Sequence, residues 1–267
     1  LLFCFFSKPA DAGCSPALIS VRRERTFANS ERLYSVANTS QLMRLAKNIF
    51  EPKASRILRC LLLNPGRAWT TRELAGEAQV SLGYTHAVAL ALIQNGYLVR
   101  NEAYRLEVVD PIRLLSRWAS YHQYTTANSF LDYYTFEREV DVLIGRLRSV
   151  HRGYALTTLG GAWLVVPHVR PVVVEAYVED RKEAESMADE LHLRPIPREG
   201  NVRLVIPHDA GIFYKAQTIT DVIVVSNVQL YVDLYNYPAR GEEAAGPVLN
   251  LIQKAWSQAL LGGATRV

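Results

Sequence analysis

The stretch from Lys53 to His122 constrains the fold more than any other part of the 267-residue chain. Ala54, Ile57, Leu58, Leu61 and Leu62 recur at the i, i+3, i+4 spacing of a helix with one buried face. Asn64-Pro65-Gly66 stops that helix, because proline cannot continue it and glycine accepts a left-handed cap. Thr70 or Thr71 caps a second helix, with Glu73 in its first turn and Leu74, Ala75 and Ala78 on its apolar face. Val80-Ser81 is a tight turn in which Ser81 caps a third helix. Val88, Ala89, Leu92 and Ile93 are that helix's buried stripe, and Asn95-Gly96 ends it. Two short strands follow, 97–100 and 104–108, joined by Asn101-Glu102-Ala103. Asp110-Pro111 restarts a helix with Ile112, Leu115, Trp118 and Ala119 inward, since proline is tolerated at the first helical position. Three helices and a hairpin in this order predict a helix-turn-helix with a wing. Such a module binds double-stranded DNA or, when reused, another protein.

Charge is distributed in the same sense. Residues 41–122 carry 11 lysines and arginines against 6 acids, whereas 123–267 carry 14 against 17. A basic first half and an acidic second half fit one face for phosphate and another for a different partner. The third helix departs from a simple DNA-reading pattern, because residues 82–95 contain no lysine or arginine. Guanine is usually read by arginine or lysine, so base readout here falls to Gln94, His86 or apolar contact with thymine methyls. Phosphates fall to Arg67, Arg72, Arg100, Arg105 and Lys53, and to the free amides at the helix starts near Thr71 and Ser81. The predicted DNA-contacting set is Arg67, Thr71, Arg72, Ser81, Gly83, Tyr84, Thr85, His86, Gln94, Arg100 and Arg105.

Beyond this stretch, residues 1–40 read as a disordered leader or a gene-start artefact, and 41–50 as a helix packed on the winged module. Residues 123–151 read as a helical connector, with the aromatic residues of 130–136 contributing to a core. The remainder alternates strands and helices. Strands are expected at 154–157, 171–178, 202–206 and 222–225, and a glycine-containing helix at 158–165. Further helices start after Asp180 and Ser226, and a closing helix over 241–261 is interrupted at Gly246-Pro247. The fold class is therefore α+β: a winged helix-turn-helix domain (41–122), the connector (123–151) and a mixed α/β domain (152–267).

A search for catalysis finds little. The chain has no phosphate-binding GxxxxGK[ST], no GxSxG and no HExxH motif. His168 and His208 each follow an apolar strand, and Glu175, Glu179, Asp180 and Asp209 would make a metal-binding set only if they converged. No enzymatic activity, cofactor or metal is expected. The three cysteines, Cys4, Cys14 and Cys60, show no zinc spacing, and no apolar run approaches the roughly 20 residues of a membrane span. A reduced, cytoplasmic protein without membrane attachment is expected.

The run Val225-Ser226-Asn227-Val228-Gln229-Leu230-Tyr231-Val232-Asp233-Leu234, followed by Pro238 and Arg240-Gly241-Glu242-Glu243-Ala244, resembles the C-terminal domain of AbiEi antitoxins. Residues 154–157, 174–180 and 204–209 resemble the same domain in order, and the resemblance extends from about Lys53 to the C-terminus. It implies a transcriptional autoregulator of a type IV toxin–antitoxin system. The winged helix would bind the promoter of its own operon and the C-terminal domain would supply antitoxin action. The implied counterpart is a nucleotidyltransferase-like toxin, with no stable complex between the two required. A homo-oligomer is compatible with this reading. The alternatives are a dimerisation or protein-interaction module and a nucleotide-handling enzyme.

Overall fold

The computed structural model describes residues 48–151 and 153–263. The expectations for residues 1–40, and for most of the helix at 41–50, lie outside the described residues; Ile49 and Phe50 are turn, not helix. Helix α1 (Pro52–Leu62) buries Ala54, Ile57, Leu58, Leu61 and Leu62, the five positions its spacing singles out. Ser55, Arg59 and Cys60 are buried with them. Helix α2 (Thr71–Glu77) opens on a reciprocal cap made by Thr70, not Thr71. The Thr70 hydroxyl accepts from the Glu73 amide at 3.1 Å, and the Glu73 carboxylate accepts from the Thr70 amide at 2.8 Å. Helix α3 (Leu82–Gln94) starts on Ser81, whose hydroxyl accepts from the Tyr84 amide at 3.4 Å. Strands β1 (Leu98–Arg100) and β2 (Leu106–Val108) form an antiparallel hairpin, and Trp69 bridges to Leu106 beside it. Asp110 caps α4 (Pro111–Tyr121), which buries Leu114, Leu115, Trp118 and Ala119. Ile112 is only partly buried, so the apolar face centres one residue from where the spacing puts it.

The expected helical connector is corrected by the structure. It holds the short helix α5 (Tyr124–Ala127), strand β3 (Ser129–Tyr134), helix α6 (Val140–Arg146) and a 3₁₀ turn. The period-2 pattern was present: Phe130 and Asp132 face one side, Leu131 and Tyr133 the other. Aromatic density obscured it.

β3 joins a seven-stranded mixed sheet with β4 (Tyr154–Leu156), β5 (Val174–Val178), β6 (Arg194–Pro195), β7 (Val202–Ile206), β8 (Gln217–Ile219) and β9 (Val222–Val224). The order is β6-β3-β7-β5-β4-β9-β8, with β5 parallel to β7, β4 parallel to β9, and the other pairs antiparallel. β5 is buried at every position, as a central strand covered on both faces must be. On one face Tyr154, Leu156, Ala176, Val178 and Leu204 pack with Leu143 and Ile144 of α6 and with helix α8 (Arg181–Glu190). The opposite face carries Ala155, Tyr177 and Val205. It packs with α7 (Thr158–Val165), α9 (Asn227–Tyr235), α10 (Gly241–Gly263) and the buried sides of α1 and α4. The glycines of α7 allow this approach, since a Cβ on Gly161 would lie 3.0 Å from Leu230 and 3.3 Å from the Leu156 carbonyl.

α10 is not interrupted: Pro247 lies inside it. Proline removes one backbone hydrogen bond, but Ala244, Ala245, Val248, Ile252 and Trp256 stay buried along one face of the continuous helix. The described residues belong to one contact unit, and hydrogen bonds cross the expected 122/123 boundary. The Trp256 indole donates to the Leu62 carbonyl at 2.9 Å. Among the described residues, no helix is long and apolar enough to cross a membrane.

Candidate nucleic-acid interface

The exposed side of α3 follows from its helical period. Leu82, Gly83, His86 and Gln94 are exposed and Leu90 and Ile93 partly so, which places one uncharged stripe along the helix. The adjacent row is Tyr84, Ala91 and Asn95, and cations lie against it. The Lys53 ammonium is 5.3 Å from the Tyr84 ring centre. Arg117 lines a hollow with Ala91 and Asn95, and the Arg113 guanidinium donates to the Asn95 carbonyl at 3.5 Å. Arg113 and Arg117 are not singled out by the sequence, because they lie on α4, beyond the β1–β2 hairpin. The signal was available: i and i+4 on a helix whose opposite face is buried.

The predicted contacts divide on inspection. Arg72 and Arg100 are exposed, and neither forms an ion pair among the described residues; Arg100 donates to the Tyr104 carbonyl at 3.2 Å. Arg67 is exposed, with its guanidinium stacked 3.6 Å from the Trp69 ring centre. Arg105 is already engaged, donating to the Ala68 carbonyl at 2.9 Å and to Glu73 at 3.2 Å. Thr85 does not belong on the contacting face. It is 0% exposed and its hydroxyl donates back to the Ser81 carbonyl at 3.1 Å, because it falls on the buried side of α3. Tyr84 is half-buried and donates to Glu51 at 2.5 Å; burial, and then that carboxylate, push its phenol pKa up. Thr71 is half-buried in the first turn of α2, while Ser81, Gly83, His86 and Gln94 remain open to solvent. Ala87, next to His86, is buried.

Behind this surface runs a buried polar chain. Arg59 is 1% exposed, donates to Ser55 at 2.6 Å and to Gln229 at 2.8 Å, and lies 5.2 Å from the Trp118 ring centre. Gln229 donates to Asp233 at 2.7 Å, and Thr157 donates to the other carboxylate oxygen at 2.7 Å. Burial lowers the Arg59 pKa to about 10, against the pull of Asp209 and Asp233, so it stays charged at neutral pH. His122 Nε2 lies 3.2 Å from Asp233 without the alignment of a hydrogen bond. A second row crosses the sheet: Arg203, in register with Asp132 on one side and Glu175 on the other, donates to each at 2.9 Å. Burial raises the Glu175 pKa, opposed by Arg203.

These partners account for the carboxylates that the sequence offered as a metal set. Glu175 pairs with Arg203, Asp209 pairs with Arg56 at 2.9 Å, Asp180 caps α8, and Glu179 is exposed. Among the described residues, no group of three or more histidines, cysteines and acids is placed to hold a metal ion. Cys60 is buried, and burial pushes its thiol up to about 11, away from nucleophilic use.

A family model described as a transcriptional regulator, AbiEi antitoxin of the type IV toxin–antitoxin system, matches residues 107–254. That span exceeds half of the 267 residues. The chain belongs to the AbiEi antitoxin family of transcriptional regulators. The match begins at β2 and so leaves α1, α2 and α3 outside it, a shorter span than the resemblance from Lys53 onward. Within the AbiEi match lie His122, Thr157, Glu175, Arg203, Gln229 and Asp233, while Ser55 and Arg59 lie before it. No curated protein and no solved structure matches the chain.

His208 gives this AbiEi chain a specific acid sensitivity. Burial, then the charge of neighbouring His122 and Arg59, lowers its pKa from 6.5 to about 4, with Asp209 and Asp233 opposing. The folded state therefore binds fewer protons than the unfolded state between those values. The stabilisation is complete above pH 6.5 and is lost as pH falls toward 4. Urea unfolding is expected to show on the order of 1 kcal/mol less stability at pH 5 than at pH 7 from this group, after solvent screening of its exposed part is discounted. His208→Gln should remove that increment, and an unchanged pH profile in the variant would refute the assignment.

Proposed function

We infer that this AbiEi-family protein is a DNA-binding autoregulator whose α1–α3 and β1–β2 hairpin act as a winged helix-turn-helix on the promoter of its own operon. In this reading residues 41–122 hold the DNA and 152–267 carry antitoxin action. The functional counterpart is a nucleotidyltransferase-like toxin, which need not form a stable complex. The protein works without a cofactor, in the cytoplasm, and is not an enzyme. The observation that carries the reading is the uncharged stripe of α3 with Lys53, Arg113 and Arg117 along its flank and Arg72 and Arg100 exposed nearby in the chain. A groove-reading helix needs a base-facing row with cations beside it for the phosphates.

Fluorescence anisotropy on the duplex upstream of its own gene, with a scrambled duplex beside it, tests this. Tight binding that prefers the native sequence and falls steeply with salt is expected, and the slope counts the phosphates neutralised. A second reading has its own support, because Leu82 is 47% exposed at the start of α3. An exposed leucine on a charge-free helix suits a protein contact or a homodimer. Absence of binding to either duplex at low salt, with a dimer in solution that Leu82→Lys dissociates, would favour this second reading.

A further inference from the structure

Gly83 is a glycine that the fold does not require. It is the second residue of α3, its backbone is not left-handed, and a Cβ built on it meets nothing within 4 Å. Glycine weakens a helix relative to alanine, so its use here calls for a reason outside the chain's own packing. Beside it Leu82 is 47% exposed, His86 lies one turn on, and Leu90 continues the row. The flank carries Lys53 near Tyr84 and Arg113 at Asn95.

If α3 lies in a major groove, this row selects what it can read. Guanine presents O6 and N7 acceptors that call for arginine or lysine, which the row lacks. Thymine presents a methyl group, which an exposed leucine can cover, and adenine presents the N6/N7 pair that glutamine satisfies. Resting on the DNA-binding reading above, we propose that α3 reads A·T pairs through their thymine methyls. Leu82 covers a methyl, Gln94 reads adenine, and the missing side chain of Gly83 lets the groove edge approach the helix backbone. Leu82 and Gly83 are specificity-determining residues in this arrangement.

The test compares the upstream duplex with the same duplex carrying deoxyuridine at every thymine, which removes the methyls while keeping base pairing and phosphate charge. Wild-type affinity should fall by roughly fourfold for each methyl contacted, the fold-change expected from burying one methyl-sized group. The salt slope should stay the same, since no phosphate contact changes. Leu82→Ala should bind the thymine duplex more weakly and lose most of the thymine-to-uracil difference. Gly83→Ala should match or exceed the wild-type melting temperature yet bind both duplexes more weakly. Sequence-specific binding with equal affinity for the two duplexes would overturn this inference while leaving the DNA-binding reading intact. A full thymine-to-uracil difference retained in Leu82→Ala, or wild-type affinity in Gly83→Ala, would overturn the role given to that residue. Failure to bind the native duplex at low salt would overturn the DNA-binding reading, and this inference with it.

Discussion

Arg59→Met is expected to destabilise the protein by about 3–5 kcal/mol in urea unfolding at pH 7, although methionine fills much of the same volume. The cause is what the substitution leaves behind. Gln229 loses the donor at 2.8 Å, and Asp233, 0% exposed, loses the cation nearest its charge chain while still bound to Thr157 and Gln229. Removing one member of a buried charged set costs more than replacing the whole set, because the survivor keeps its desolvation penalty. Asp233→Asn added to Arg59→Met should therefore cost less than the sum of the two single losses, by at least about 1 kcal/mol. Strict additivity would show that the two charges do not communicate.

The second large effect concerns DNA. Replacing Lys53, Arg72 and Arg100 together by alanine is expected to lower the slope of log affinity against log salt by roughly three, about one for each phosphate released. Affinity at 0.1 M salt should fall by roughly two to three orders of magnitude, the counterion-release contribution of three phosphates. All three side chains are exposed, so the folded state should be unaffected, and an unchanged melting temperature is part of the expectation. Arg105→Ala is the comparison. Its guanidinium is engaged with Ala68 and Glu73, so its loss should change the slope less and the stability more. An unaltered slope in the triple variant would remove these residues from any phosphate contact.

Local rules made much of the fold legible. Caps at Ser81, Asp180 and Ser226 act where the sequence puts them, because a cap needs only its own side chain and an amide three residues on. The stripe of α1 is written in its helical period, and the strand expected at 171–178, observed at 174–178, in its β-branched residues. The aromatic density of β3 hides its alternation, and β8 and the two-residue β6 are not legible because such short strands have no meaning apart from the neighbours that pair with them. Pro247 was over-read as a break for a related reason: the cost of a lost hydrogen bond is local, but the burial that outweighs it is not.

The site divides along the same line. The sequence by itself determined that α3 bears no cation, that arginines precede and follow it in the chain, and that residues 225–244 carry the AbiEi pattern, because these are statements about residue types in order. Only the tertiary structure decided that Thr85 faces inward, that Arg105 is spent on Glu73, and that Arg113 and Arg117 of α4 reach the flank of α3. It also decided that Arg59, an ordinary surface residue by its type, is buried against Gln229 and within reach of Asp233's charge. A charge's role depends on the solvent and partners around it, and those are set by segments about 170 residues away in the chain, as between Arg59 and Gln229.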